Sequence, residues 1–91
     1  MKPVLTPEQS RAARGWLDWT QGDLAQRANV SLSTVRDFEK QRRQPIGNNL
    51  AALAAALKHA GVTPTFDENG GPHGVVARQP QSGQPPQNGT G

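Results

Sequence analysis

The chain has 91 residues, no cysteine, and ten Lys/Arg against seven Asp/Glu for a formal charge of +3. That is one domain's worth of chain, and its last stretch is too polar and Pro/Gly-rich to add to a core, which argues against a large buried catalytic cleft. The lack of cysteine excludes a disulfide framework and any thiolate metal site. No run approaches the roughly 20 apolar residues that a membrane crossing needs, and Met1-Lys2-Pro3 leads into a polar helix start, so a cytoplasmic protein without a membrane partner is expected.

Thr6-Pro7-Glu8-Gln9 has the form of a capping box, with proline at the first helical position. A first helix is predicted from Pro7 to about Leu17, carrying Ala13, Trp16 and Leu17 on one side. Thr20 opens a second over about Gln21–Ala28, in which Leu24, Ala25 and Ala28 form the buried stripe. Asn29 tolerates the left-handed backbone of a tight exit, Val30 fills the gap below it, and Ser31 caps a third helix at once. This third helix runs from Leu32 to about Gln41, with Val35 and Phe38 inward and Leu32, Ser33, Arg36, Asp37 and Lys40 on the opposite face.

Proline disfavours helical geometry in the residue before it, so Arg42-Arg43-Gln44-Pro45-Ile46-Gly47 reads as a basic loop. Asn48 or Asn49 is expected to cap a fourth helix, whose Leu50, Leu53, Ala54 and Leu57 make one stripe ending at Gly61. Trp16, Trp19, Leu24, Val35, Phe38, Leu50, Leu53 and Leu57 are the expected core. Beyond Gly61, two β-prone runs flank the turn Asp67-Glu68-Asn69-Gly70-Gly71-Pro72 and predict a hairpin over 62–78, which needs the helices or a second subunit to be stable. Residues 79–91 are Gln, Pro, Gly, Ser, Asn and Thr alone, a composition expected to be a disordered tail. The division is thus 1–61, 62–78 and 79–91.

Residues 1–61 hold nine Lys/Arg against five Asp/Glu, and Arg36, Lys40, Arg42 and Arg43 fall within eight positions. Such clustering suits a polyanionic partner, because each neutralised phosphate releases counterions, although an ordinary solvated face has the same composition. Two short helices joined by a tight Asn29-Val30-Ser31 turn have helix-turn-helix geometry, in which the second helix enters the major groove of duplex DNA. No acid, base and nucleophile stand at a meaningful spacing, the two histidines, His59 and His73, form no close pair, no calcium loop surrounds Asp67 and Glu68, and no helix start follows Asn69-Gly70-Gly71. An enzyme, a metal site and a cofactor are therefore not expected.

The pattern Thr20-Gln21-x-x-Leu24-Ala25-x-x-Ala28-x-Val30-Ser31-x-x-Thr34-Val35-x-x-Phe38-Glu39, followed by a basic loop, Pro45 and a Leu-rich helix, resembles the Cro and lambda-repressor (XRE) family over about residues 5–61. The resemblance implies an all-α, compact four- to five-helix bundle of the lambda-repressor-like type, here with a short C-terminal β-hairpin or strand pair where the family has its fifth helix. It also implies a dimer on double-stranded DNA. Leu32, Ser33, Arg36 and Asp37 would then face base edges. Arg36 matches guanine O6 and N7 or else contacts a phosphate or Glu39; Asp37 accepts from a cytosine amine or turns to a neighbouring cation. Thr20, Gln21, Ser31, Thr34, Lys40, Arg42, Arg43 and Gln44 would meet phosphates, with the amides of Asn48 and Asn49. Arg14 and Glu39 match a family pair that ties the first helix to the third. Two functions follow from these residues: a sequence-specific regulator, expected to be a dimeric repressor on an inverted repeat, or a protein-interaction module such as an antitoxin or antiactivator whose residues 62–78 grip a second protein.

Overall fold

The computed structural model describes residues 4–77, so Arg78 and the tail expected at 79–91 lie outside the described residues. Four helices come first, α1 (Pro7–Leu17), α2 (Gln21–Ala28), α3 (Leu32–Glu39) and α4 (Gly47–His59), and a hairpin of β1 (Val62–Phe66) and β2 (Pro72–Ala77) closes the chain. The result is a four-helix helix-turn-helix bundle with a short C-terminal hairpin. No described helix is long and apolar enough to cross a membrane.

Local chemistry sets the boundaries. Thr6 and Thr20 each form a reciprocal capping box, with Gln9 and Asp23, and Ser31 accepts from the Thr34 amide. The three helices that these residues open all close on a left-handed residue that is not glycine: Asp18 (φ 59°), Asn29 (φ 60°) and Gln41 (φ 61°). In each case the following amide reaches back five residues, Trp19 to the Arg14 carbonyl, Val30 to Ala25 and Arg42 to Asp37. This Schellman closure satisfies carbonyls that the helix end would leave orphaned. It stops α3 at Glu39, two residues before the predicted end, because Gln41 has left the helical region. The start of α4 also differs from expectation. Ile46 occupies its N-cap without a side-chain bond, so Asn48 and Asn49 lie inside the first turn.

One core serves helices and hairpin alike. Leu24, Val35, Phe38, Leu53 and Leu57 are enclosed, with Leu5, Ala13, Ala25 and Ala54 between them and Val62 of β1 among them. Each fully buried large side chain contributes about 1.5–3 kcal/mol. Trp19 packs only partly against this cluster, and Trp16 stands 61% exposed, which corrects its expected place in the core. The buried stripe of α1 runs through Gln9, Ser10 and Ala13, two of them polar; Trp16 lies on the same side of the helix, three residues beyond Ala13, but is not covered there.

The antiparallel hairpin lies over the bundle, β1 against α4 and β2 against α1. Its register passes from Thr65 opposite Gly74 to Phe66 opposite Pro72, leaving His73 as the extra residue of a bulge. Buried Gln9 fastens this point. Its Oε1 accepts from the Thr6 amide at 3.0 Å while Nε2 donates to the Thr65 carbonyl at 2.8 Å and the Gly74 carbonyl at 2.9 Å. Gln9→Glu keeps the capping acceptor but turns a carboxylate toward two carbonyls. We expect a loss of about 1–3 kcal/mol in urea unfolding, with faster amide exchange concentrated in β1 and β2.

Candidate nucleic-acid interface

The α2–α3 corner presents one side of α3 outward. Val35, Phe38 and Glu39 are buried, whereas Leu32 (41%), Ser33 and Arg36 are exposed and Asp37 is half-buried. At the start of α3 the hydroxyls cluster: Ser31 Oγ lies 3.1 Å from Ser33 Oγ and 2.7 Å from Thr34 Oγ1. Next to this face, Lys40, Arg42, Arg43 and Gln44 are all exposed. A cleft of about 220 Å³ joins the two regions, lined by Ser33, Thr34, Asp37, Arg43, Gln44, Pro45, Ile46 and Asn49. The Asp37 carboxylate shares this cleft with Arg43 but makes no ion pair within 4.0 Å among the described residues, while its backbone carbonyl accepts from the Arg42 and Arg43 amides and fixes the loop to the end of α3. Ile46, 67% exposed at the mouth of α4, is the member of this surface that sequence reading missed; its position between Pro45 and a helix start was the available signal.

Behind the face lies a polar core. Glu39, with 1% of its side chain exposed, receives Arg14 Nε at 2.9 Å and Arg14 Nη2 at 2.6 Å on its two oxygens, a fork that joins α1 to α3. Ser10 Oγ donates to the same carboxylate, and Arg11 reaches the Glu39 backbone carbonyl. Arg14 Nη1 also holds the Trp19 carbonyl at 3.0 Å, so one guanidinium ties the α1–α2 turn to α3. With both Glu39 oxygens engaged from α1, Arg36 is left pointing outward and makes no ion pair among the described residues. Gln21 departs from the simplest expectation: one N–H of its side chain donates to Glu39 Oε1 at 3.2 Å, which fixes the side chain at the start of α2.

Burial pushes the Glu39 carboxyl up, but hydrogen bonds from Arg14, Ser10 and Gln21, together with the Arg14 charge, outweigh it and hold the group below the ordinary glutamate value. Arg14 is correspondingly raised, chiefly by its hydrogen bond to Glu39. On acidification the unfolded chain therefore takes up the Glu39 proton first. The stability that this carboxylate contributes is complete above the ordinary glutamate range and is lost as pH falls through the folded value. We expect a urea midpoint that is level from neutral pH to about pH 5 and falls below it, with a shallower acid dependence in Glu39→Gln.

A helix-turn-helix family model matches residues 11–58, the span from the middle of α1 to the end of α4. The chain belongs to this helix-turn-helix family, in its Cro and lambda-repressor-like (XRE) form. The family is a DNA-binding module and not a catalytic one. This helix-turn-helix chain is similar to the DNA-binding domain of the P22 c2 repressor (residues 1–76), whose solution structure was determined by nuclear magnetic resonance. The two are 34% identical over 64% of this chain and 76% of that one, with a TM-score of 0.54. No curated protein matches the chain. Among the described residues, no group of three or more His, Cys, Asp or Glu could hold a metal ion.

Proposed function

We propose that this protein is a transcriptional regulator that binds an inverted repeat as a homodimer and acts as a repressor by occluding a promoter. Bases are read in the major groove by Leu32, Ser33, Arg36 and Asp37. The observation that carries this reading is the division of α3, whose Val35, Phe38 and ion-paired Glu39 are buried while Leu32, Ser33 and Arg36 are solvent-facing beside an exposed basic loop. Arg36 suits guanine, because its fork matches O6 and N7 together; Leu32 and Ile46 offer apolar contact to thymine methyls, and Asp37 accepts from a cytosine amine. Thr20, Gln21, Ser31 and Thr34 at two helix starts, and Lys40, Arg42, Arg43 and Gln44 after α3, meet phosphates and set the register. The P22 c2 repressor domain to which the chain is similar is itself DNA-binding.

Selection of duplexes from a randomised pool tests this directly. The expected product is a two-fold symmetric sequence with half-sites about 34 Å, one helical turn, apart. Recovery of a lone half-site, protected by one subunit at saturation, would remove the dimer.

A further inference from the structure

We infer that the cleft between α3 and the start of α4 reads 5-methylcytosine, the Asp37 carboxylate accepting from the amine of the base while Ile46 covers its methyl group. The inference rests on the DNA-reading assignment above and names a ligand for one part of that surface. Asp37, Arg43 and Ile46 line one cleft of about 220 Å³. A carboxylate and a branched apolar side chain therefore face the same small space. In the major groove cytosine presents its N4 amine as a donor, and the ring carbon beside it is the C5 that bears the methyl group in thymine. The base that carries both groups on neighbouring ring atoms is cytosine methylated at C5. Thymine has the methyl but sets the acceptor O4 against Asp37, and unmodified cytosine has the amine but leaves Ile46 without a methyl to cover. Adenine also offers an amine, yet no methyl on the same base.

Two observations set these side chains apart from those that hold the fold. Ile46 is exposed at the N-cap of α4 and makes no side-chain bond there. Isoleucine is among the weakest N-cap residues, where serine or asparagine would bond the helix start, so the side chain of Ile46 serves neither the helix nor the core. Asp37 is half-buried yet has no ion-pair partner among the described residues, although Arg43 lines the same cleft. The hydroxyls of that cleft are engaged with Ser31 instead: Ser33 Oγ and Thr34 Oγ1 lie 3.1 and 2.7 Å from its Oγ. The Asp37 carboxylate is thus open to an incoming donor, while Arg43 offsets at longer range its repulsion of the phosphates. Once a duplex closes the cleft, a carboxylate left without a donor costs affinity, and this makes Asp37 select for the amine. Ile46 then adds the preference for the methyl.

Fluorescence anisotropy of the full chain on synthetic duplexes tests this, with each cytosine of the selected half-site replaced in turn by 5-methylcytosine or by thymine. At one position 5-methylcytosine should bind about fourfold tighter per half-site than cytosine, the gain from enclosing one methyl group, and thymine there should bind more weakly than either. Ile46→Ser should abolish the methyl gain while leaving thermal unfolding at the same midpoint or higher, because serine caps α4; a folding defect therefore cannot mimic the result. Leu32→Ser, which removes the exposed apolar group at the start of α3, should keep the gain. Asp37→Asn, whose amide can donate to O4, should bind thymine as well as 5-methylcytosine. A selected site that shows no methyl gain at any cytosine, or a gain that survives Ile46→Ser, would overturn the proposal and leave the DNA-reading assignment standing. Adenine at the position sensitive to Asp37 would do the same. A chain that prefers no duplex over another would overturn both.

Discussion

Replacement of Arg14 by alanine should destabilise the domain by about 3 kcal/mol, and for a domain of this size lower the thermal midpoint by roughly 15 °C. The cost does not come from the attraction between two charges as such. Glu39 is enclosed, and without the guanidinium fork its carboxylate keeps only Ser10 and Gln21 as side-chain donors. A buried charge stripped of its partner costs more than the pair itself contributes. Arg14→Lys restores the charge but not the two-pronged geometry, nor the additional bond to the Trp19 carbonyl, and should recover less than half of the loss. The double variant Arg14→Met/Glu39→Met removes both charges and should be more stable than Arg14→Ala. Calorimetry of the four proteins checks this; a loss below about 1 kcal/mol in Arg14→Ala, the range of an exposed pair, would mean that Glu39 is solvated in solution.

The second large effect concerns DNA. Arg36→Ala should cost about 1–3 kcal/mol in binding to the selected site and relax preference at one base position in each half-site. Arg43→Ala should weaken selected and unrelated duplexes alike and lower the slope of log affinity against log salt by about one unit for each phosphate that is no longer neutralised. The difference follows from placement. Arg36 projects from the outward face of α3 with no intramolecular ion-pair partner among the described residues, whereas Arg43 sits in the loop that edges the cleft toward α4. Titrations of both variants across a range of salt, on matched and scrambled duplexes, separate the two roles. Equal weakening on every duplex for Arg36→Ala would reassign it to the backbone.

Much of this architecture is legible in the sequence because short-range chemistry writes it. Thr6, Thr20 and Ser31 announce three helix starts through side-chain bonds that span three residues, and Asn29 announces the corner. Asp18 and Gln41 close their helices by the same backbone device, yet neither residue type signals a left-handed turn as asparagine or glycine does. The long-range polar contacts are invisible to spacing. Gln9 looks like half of a capping box, and only the fold brings the hairpin, 56 and 65 positions away, under its amide nitrogen. The same limit explains Trp16: a large aromatic side chain suggests burial, but the inward side of α1 is occupied by Gln9, Ser10 and Arg14 serving the hairpin and Glu39. In the interface, the outward set on α3 could be read from periodicity, whereas the Gln21 bond to Glu39 and the exposure of Ile46 depend on how α1, α3 and α4 meet.

The most direct measurement is an amide chemical-shift map of isotopically labelled protein titrated with its selected duplex. The largest shifts should fall on the first turn of α2, on Leu32, Ser33 and Arg36, and on the loop from Lys40 to Gly47, with the Gly15–Trp16 end of α1 little changed. A map in which α1 and the hairpin respond to the duplex while the amides of α3 stay at their free positions would contradict the assignment of α3 as the helix that reads DNA.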